Sequence, residues 1–205
     1  MKGLFYKDVL VLLRKFRTYI PMCILFVGMG GIMEDGMFWA VYGVMFTATM
    51  VSSLMADEEN TGWNDTASYL PLSARTQVSE KYVFSLLCIL SFIVVYTAAA
   101  MIGGKPLYEI STGLVSIVMT SEIVFLFSLP FTIMFGVQKS GLIRLIVTAV
   151  LVFFGITVLQ GGQGFLELLA GKEYMMYIIL LGTTALYFLS WYISIILKER
   201  VIQNS

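Results

Sequence analysis

The chain contains no histidine. That removes the one side chain whose ordinary titration falls near neutral pH. Zinc motifs of the H-E-x-x-H type, Ser-His nucleophile pairs and histidine proton relays go with it. Cysteine is down to two, Cys23 and Cys88, each inside an apolar run. There a thiol acts as a small buried hydrophobe rather than as half of a disulfide or metal pair. Charge is scarce as well: Asp, Glu, Lys and Arg make up 13% of the 205 residues and sum to zero. A soluble domain carries about a quarter, and a neutral chain offers nucleic acid no basic field. No G-x-x-x-x-G-K-[ST] phosphate loop occurs. Gly136-Val137-Gln138-Lys139-Ser140 has its closing Lys-Ser but neither the glycine-rich loop nor a βαβ context. Any ATP that drives this chain must bind to another one.

What the sequence has in excess is apolar surface, 59% of residues. At this length one core cannot hide it, so the chain reads as an all-α, polytopic integral membrane protein. Six apolar runs are placed at Thr18–Met33, Met37–Met55, Tyr82–Ile102, Thr112–Val137, Leu142–Leu159 and Tyr174–Leu197. Most approach the roughly 17–25 residues that a span needs. The first is short and weakened by Gly28, Gly30 and Gly31; the fourth is long enough to tilt or bend. Short connections are expected at Glu34–Gly36, Gly103–Pro106 and Gln138–Gly141, with a longer one over Gln160–Glu173. Tyr82, Tyr108, Tyr174, Trp191 and Tyr192 at the run ends read as interface anchors or packing residues.

Before the first span, Met1–Arg17 reads as an interfacial helix. Phe5, Val9, Leu12, Leu13 and Phe16 fall on one face, and Lys7, Asp8, Arg14 and Lys15 on the other. An even number of spans puts both termini on one side, together with the polar stretch 56–81. That side collects 11 of the 13 Lys and Arg residues, leaving Lys105 and Lys172 opposite. The positive-inside rule makes it cytoplasmic.

Stretch 56–81 is the one long polar segment. Asp57-Glu58-Glu59 forms an acidic cap below span two, and Thr61–Leu72 carries Trp63, Tyr69, Leu70 and Leu72 up to a stop at Pro71. Ser73 reads as the N-cap of span three, with Arg75 and Lys81 at the lipid boundary. Exposed aromatics on a short helix suit either a partner's socket or the headgroup layer.

This stretch resembles the coupling loop of ABC-2 permeases of ABC transporters in their compact bacterial form. The matching residues are Asp57-Glu58-Glu59, Gly62-Trp63, Tyr69-Leu70-Pro71-Leu72-Ser73, Arg75, Val78 and Lys81-Tyr82, with Ala74 an insertion against the family pattern. The resemblance implies a dimer of permeases, identical or sister, on two ATPase subunits that hold the ATP and magnesium. This chain would carry no cofactor and catalyse nothing itself. Trp63, Tyr69, Leu70, Pro71 and Leu72 would enter the ATPase groove. Charge and sidedness add a brace in which Asp57, Glu58 and Glu59 meet Arg14, Lys15 or Arg17. Compact relatives export amphipathic peptides such as phenol-soluble modulins and bacteriocins. Peptide or other hydrophobic cargo, crossing a bacterial plasma membrane, is therefore the expectation.

Within the spans Glu122 is the one acid placed well inside, two turns before Pro130, which frees the carbonyl of Leu126 and should bend its helix. Together they mark a pathway or gate, or a site that merely seals packing. Two rival functions are an ion-gradient transporter, which would call for more buried charge and an inverted repeat, and a non-transporting immunity or scaffold protein, which would need no docking loop.

Overall fold

The computed structural model describes the backbone of residues 2–15, 17–33, 37–63, 66, 73–161 and 173–203. Of these, the side chains at 2, 15, 37–38, 48–49, 137–145, 147–161, 173–176 and 201–203 lie outside the description. Every regular element among the described residues is a helix: α1 (Lys2–Lys15), α2 (Tyr19–Ile32), α3 (Met37–Asn60), α4 (Ala74–Ile102), α5 (Leu107–Gly161) and α6 (Glu173–Gln203).

The segments Trp39–Asn60, Ala74–Ile102, Leu107–Gly136 and Tyr177–Arg200 are long and apolar enough to cross a membrane. Helix α2 is apolar but has only 14 residues. At about 1.5 Å per residue that is shorter than the hydrocarbon core. Lys105 completes its far end by donating to the carbonyl of Met33 at 2.8 Å. The expected fifth run, and with it the count of six, falls among side chains outside the description.

Helix α1 packs on α3 and α4, α2 on α3 and α4, and α5 against α3, α4 and α6. The buried stripe of α1 is Leu4, Asp8 and Leu12, one residue per turn. This corrects the helical wheel drawn from sequence, which set Asp8 on the polar face and Leu13 on the apolar one. Leu13 is exposed, in line with Tyr6 and Leu10. So α1 carries a second apolar face turned away from the bundle, and Asp8 turns inward because two lysines neutralise it there.

Helix α4 starts where the sequence says, with the Ser73 hydroxyl accepting the Thr76 N–H at 3.3 Å. It keeps Val78, Tyr82, Ser85, Ile89, Phe92, Tyr96 and Ala99 buried at alternating spacings of four and three. Tyr82, expected as an interface anchor or a packing residue, is fully buried and packs. It stacks on Trp191 at 5.4 Å and its hydroxyl lies 2.9 Å from Ser190 and 2.8 Å from Ser194 of α6. Tyr108 and Tyr192 are exposed.

Helix α5 is interrupted at Gly136, with φ 73° and ψ 170°. That backbone region is open essentially to glycine alone. The turn therefore falls at Gly136, whereas residues 138–141, where a connection was expected, are helical. At Pro130 the carbonyl of Leu126 is taken up by the Ser190 hydroxyl of α6 at 3.0 Å.

Candidate functional site

Helix α3 runs beyond its apolar stretch to Asn60, so Asp57, Glu58 and Glu59 occupy its last turns. Thr61 caps the carbonyl of Asp57 at 2.6 Å. Gly62, with φ 66°, turns the chain in the left-handed conformation typical of a residue just past a helix end. That turn delivers Trp63 to the top of α1, where the Lys7 ammonium sits 4.3 Å from the centroid of its indole. A lysine over an indole face contributes roughly 0.5–1 kcal/mol when exposed and more when desolvated.

Beneath Trp63 lies an ionic hub formed by α1, α3 and α4. Lys7 pairs with Glu58 and stands 3.3 Å from Asp8. The Lys81 ammonium is 2.5 Å from Asp8 Oδ2 and 2.8 Å from Glu58 Oε1. Asp8 is 1% exposed and Lys81 5%. Such charges stay buried only when each has a partner, and Lys81, with three N–H donors, serves two carboxylates at once. Neighbouring Glu59 turns the other way. A Cβ placed on Gly136 would meet its Oε1 at 2.9 Å, so this carboxylate lies against the break in α5. There the helix of residues 137–161 begins, and its N-terminal dipole favours a negative charge. Successive side chains at the end of α3 thus hold three other helices. On the rim Arg75 and Glu199 meet at 3.3 Å while largely exposed, a pair of small consequence.

The acidic cap expected from sequence is present, but the partners of Glu58 are Lys7 and Lys81. Arg14 and Arg17 are exposed, Arg14 two turns further along α1, and the Lys15 side chain is outside the description. Lys7 and Lys81 win because they sit level with the end of α3. Sequence reasoning missed Lys7, Asp8 and Lys81 as a set. A usable signal was there: Ala74, Val78, Lys81 and Ser85 form one helical stripe, which places Lys81 on the inner face. Trp63 is half-buried; Tyr69, Leu70, Pro71 and Leu72 lie outside the described residues.

The second candidate site is deeper. Glu122 is buried, and its two oxygens accept hydroxyls from consecutive α6 residues, Thr183 at 2.6 Å and Thr184 at 2.8 Å. The acid is therefore clamped to α6 by neutral donors, and no ion pair to it occurs among the described residues. The Thr183-Thr184 dipeptide, two hydroxyls in an apolar run, was the overlooked sequence signal.

No described group of three or more Asp, Glu or Cys residues is placed to hold a metal ion. The arrangement joins a half-buried aromatic, a charged hub and a glycine break. A family model described as "ABC-2 family transporter protein" matches residues 3–198. No curated protein and no solved structure matches the chain. With nearly its whole length inside that match, and with four helices able to cross a membrane, the chain belongs to the ABC-2 family of transporter proteins, as a membrane-spanning permease component.

Proposed function

We propose that this permease is the conduit of an ATP-driven exporter and is moved by a separate ATPase seated on residues 56–81. The observation that carries the reading is the placement of Trp63. It leaves α3 through a glycine turn and rests on Lys7, whose charge belongs to the hub joining α1, α3 and α4. A push on the segment that follows Trp63 would reach three helices through ion pairs, and the α5 break through Glu59. Tyr69, Leu70, Pro71 and Leu72 would complete the docking element, and Asp57 would belong to the same acidic cap. ATP and magnesium would reside in the ATPase, and two permease copies, or this chain and a sister, would enclose the path.

The distribution of Lys and Arg supports a cytoplasmic position for this end in a bacterial plasma membrane. The cargo class, amphipathic peptides or other hydrophobic molecules, rests on the likeness to compact peptide exporters. Glu122, clamped across to α6 two turns before Pro130, is the candidate gate.

The test is transport in inverted membrane vesicles containing the permease and its ATPase. A fluorescent amphipathic peptide should accumulate on ATP addition and stop with vanadate. Accumulation driven by an imposed proton or sodium gradient without the ATPase would overturn the reading.

A further inference from the structure

Glu80 sits in the second turn of α4, outside the apolar run that opens at Tyr82. It is 4% exposed. Its Oε1 is buried with no hydrogen-bond partner, and its Oε2 lies 4.0 Å from Lys81, beyond hydrogen-bond reach. The cations around it are engaged elsewhere. Lys81 of its own helix stands 2.5 Å from Asp8 and 2.8 Å from Glu58. Lys7 of α1 pairs with the same two acids. Lys198 of α6 faces Glu58 and Glu59 of α3. From α5 the described residues beside Glu80 are Thr132 and Ile133, neither of them charged. An ionised carboxyl buried without a donor is strongly disfavoured, and the usual escape is to take up a proton.

We propose that Glu80 is a proton-binding site on the hub, filled in mild acid and emptied in mild alkali, and that the proton tightens the junction of α1, α3 and α4. The geometry gives the proton this effect. While Glu80 is neutral, Lys81 serves Asp8 and Glu58 alone, and those two contacts tie α1 and α3 to α4. Once ionised, Glu80 becomes a third claimant on the same ammonium, across a gap that a small side-chain rotation closes. It then draws Lys81 away from its two partners. Burial pushes the Glu80 carboxyl up from its ordinary 4.5 to about 7; Lys81 and Lys7 pull it down, and Asp8 and Glu58 push it up. The folded protein therefore holds a proton that the unfolded chain has already released between about pH 4.5 and about pH 7. The stability due to this group is full below that window and is lost as pH climbs through it. The chain has no histidine, so no imidazole titrates across the same range. Under the proposed function, the same proton would set how firmly the end of α3 is held.

The test does not depend on ATPase docking. Full-length permease in nanodiscs is followed from about pH 4.5 to about pH 9 by infrared spectroscopy and by its thermal midpoint. With carbon-13 in the glutamate carboxyls, the carbonyl band of a protonated glutamate should fade with a midpoint near about pH 7, and the isotope shift sets it apart from Asp8. Glu80→Gln, a neutral and nearly isosteric copy of the protonated acid, should lack that band. The thermal midpoint of the natural chain should fall as pH rises through the window and level off above it. Glu80→Gln should fall less, and in mild alkali should melt above the natural chain. Glu109→Gln, at the exposed start of α5, should behave as the natural chain does. A natural chain with no glutamate band titrating near neutrality would overturn the proposal, whether or not the variant folds. So would a Glu80→Gln melting profile as steep as the natural one.

Discussion

Lys81 is the residue on which the hub turns. Its ammonium is almost wholly buried and touches carboxylates from two helices. Replacing it with methionine keeps the volume and removes the charge, leaving Asp8 and Glu58 facing one another through Lys7 alone. Breaking a buried pair by removing one member costs about 3–5 kcal/mol. Lys81→Met is therefore expected to lower the thermal midpoint of the purified permease sharply. Asp8→Asn added to it should restore part of the loss, because the stranded charge is then gone. Midpoints measured on the two variants check this; an unchanged midpoint for Lys81→Met would mean that the hub is held by other contacts. At this scale the sequence was only partly legible. The Ser73 cap could be read locally, since its acceptor and donor are three residues apart. The Asp8–Lys81 pair spans 73 residues, and no local pattern announces it. What a sequence reader sees is a lone acid on an amphipathic helix, which the wheel assigns to solvent.

At the scale of elements, the break in α5 matters most. The two parts of α5, residues 107–135 and 137–161, are each long enough at about 1.5 Å per residue to approach the thickness of a bilayer. A single straight helix of 55 residues would overrun it, so the chain must leave helical geometry between them, and it does so at Gly136. The sequence showed that a connection was needed here, and misplaced it by two residues toward the polar run at 138–141. Polar residues are acceptable inside a helix, but φ 73° with ψ 170° is acceptable only to glycine. Gly136→Val should cost about 1–3 kcal/mol from backbone strain. It should also displace the Glu59 carboxylate, which already lies where the new Cβ would go. Gly141→Val, in helical backbone, should cost well under that. Chemical-denaturant unfolding of the two variants separates them. Equal losses would place the turn elsewhere.

For the whole molecule, the sequence made fold class, membrane residence and family legible. Those rest on composition, on long apolar runs and on the residues of stretch 56–81, all of which survive without tertiary detail. It did not reveal how the stretch is attached to the bundle. Attachment depends on partners brought together from α1, α3, α4 and the α5 break, and the wheel had turned one of them the wrong way. Under the proposed function this end of the molecule is a lever, with Trp63 at its tip, Glu58 and Glu59 at its base, and Lys81 and Gly136 as the points it would bear on. In that proposal another chain's ATPase grips the tip. The most direct measurement is recruitment. With the cognate ATPase co-expressed, membranes carrying the permease should retain the ATPase after a high-salt wash. Membranes carrying Trp63→Ala with Leu70→Asp, at equal permease level, should lose it. Full retention of the ATPase by the double variant would contradict the account.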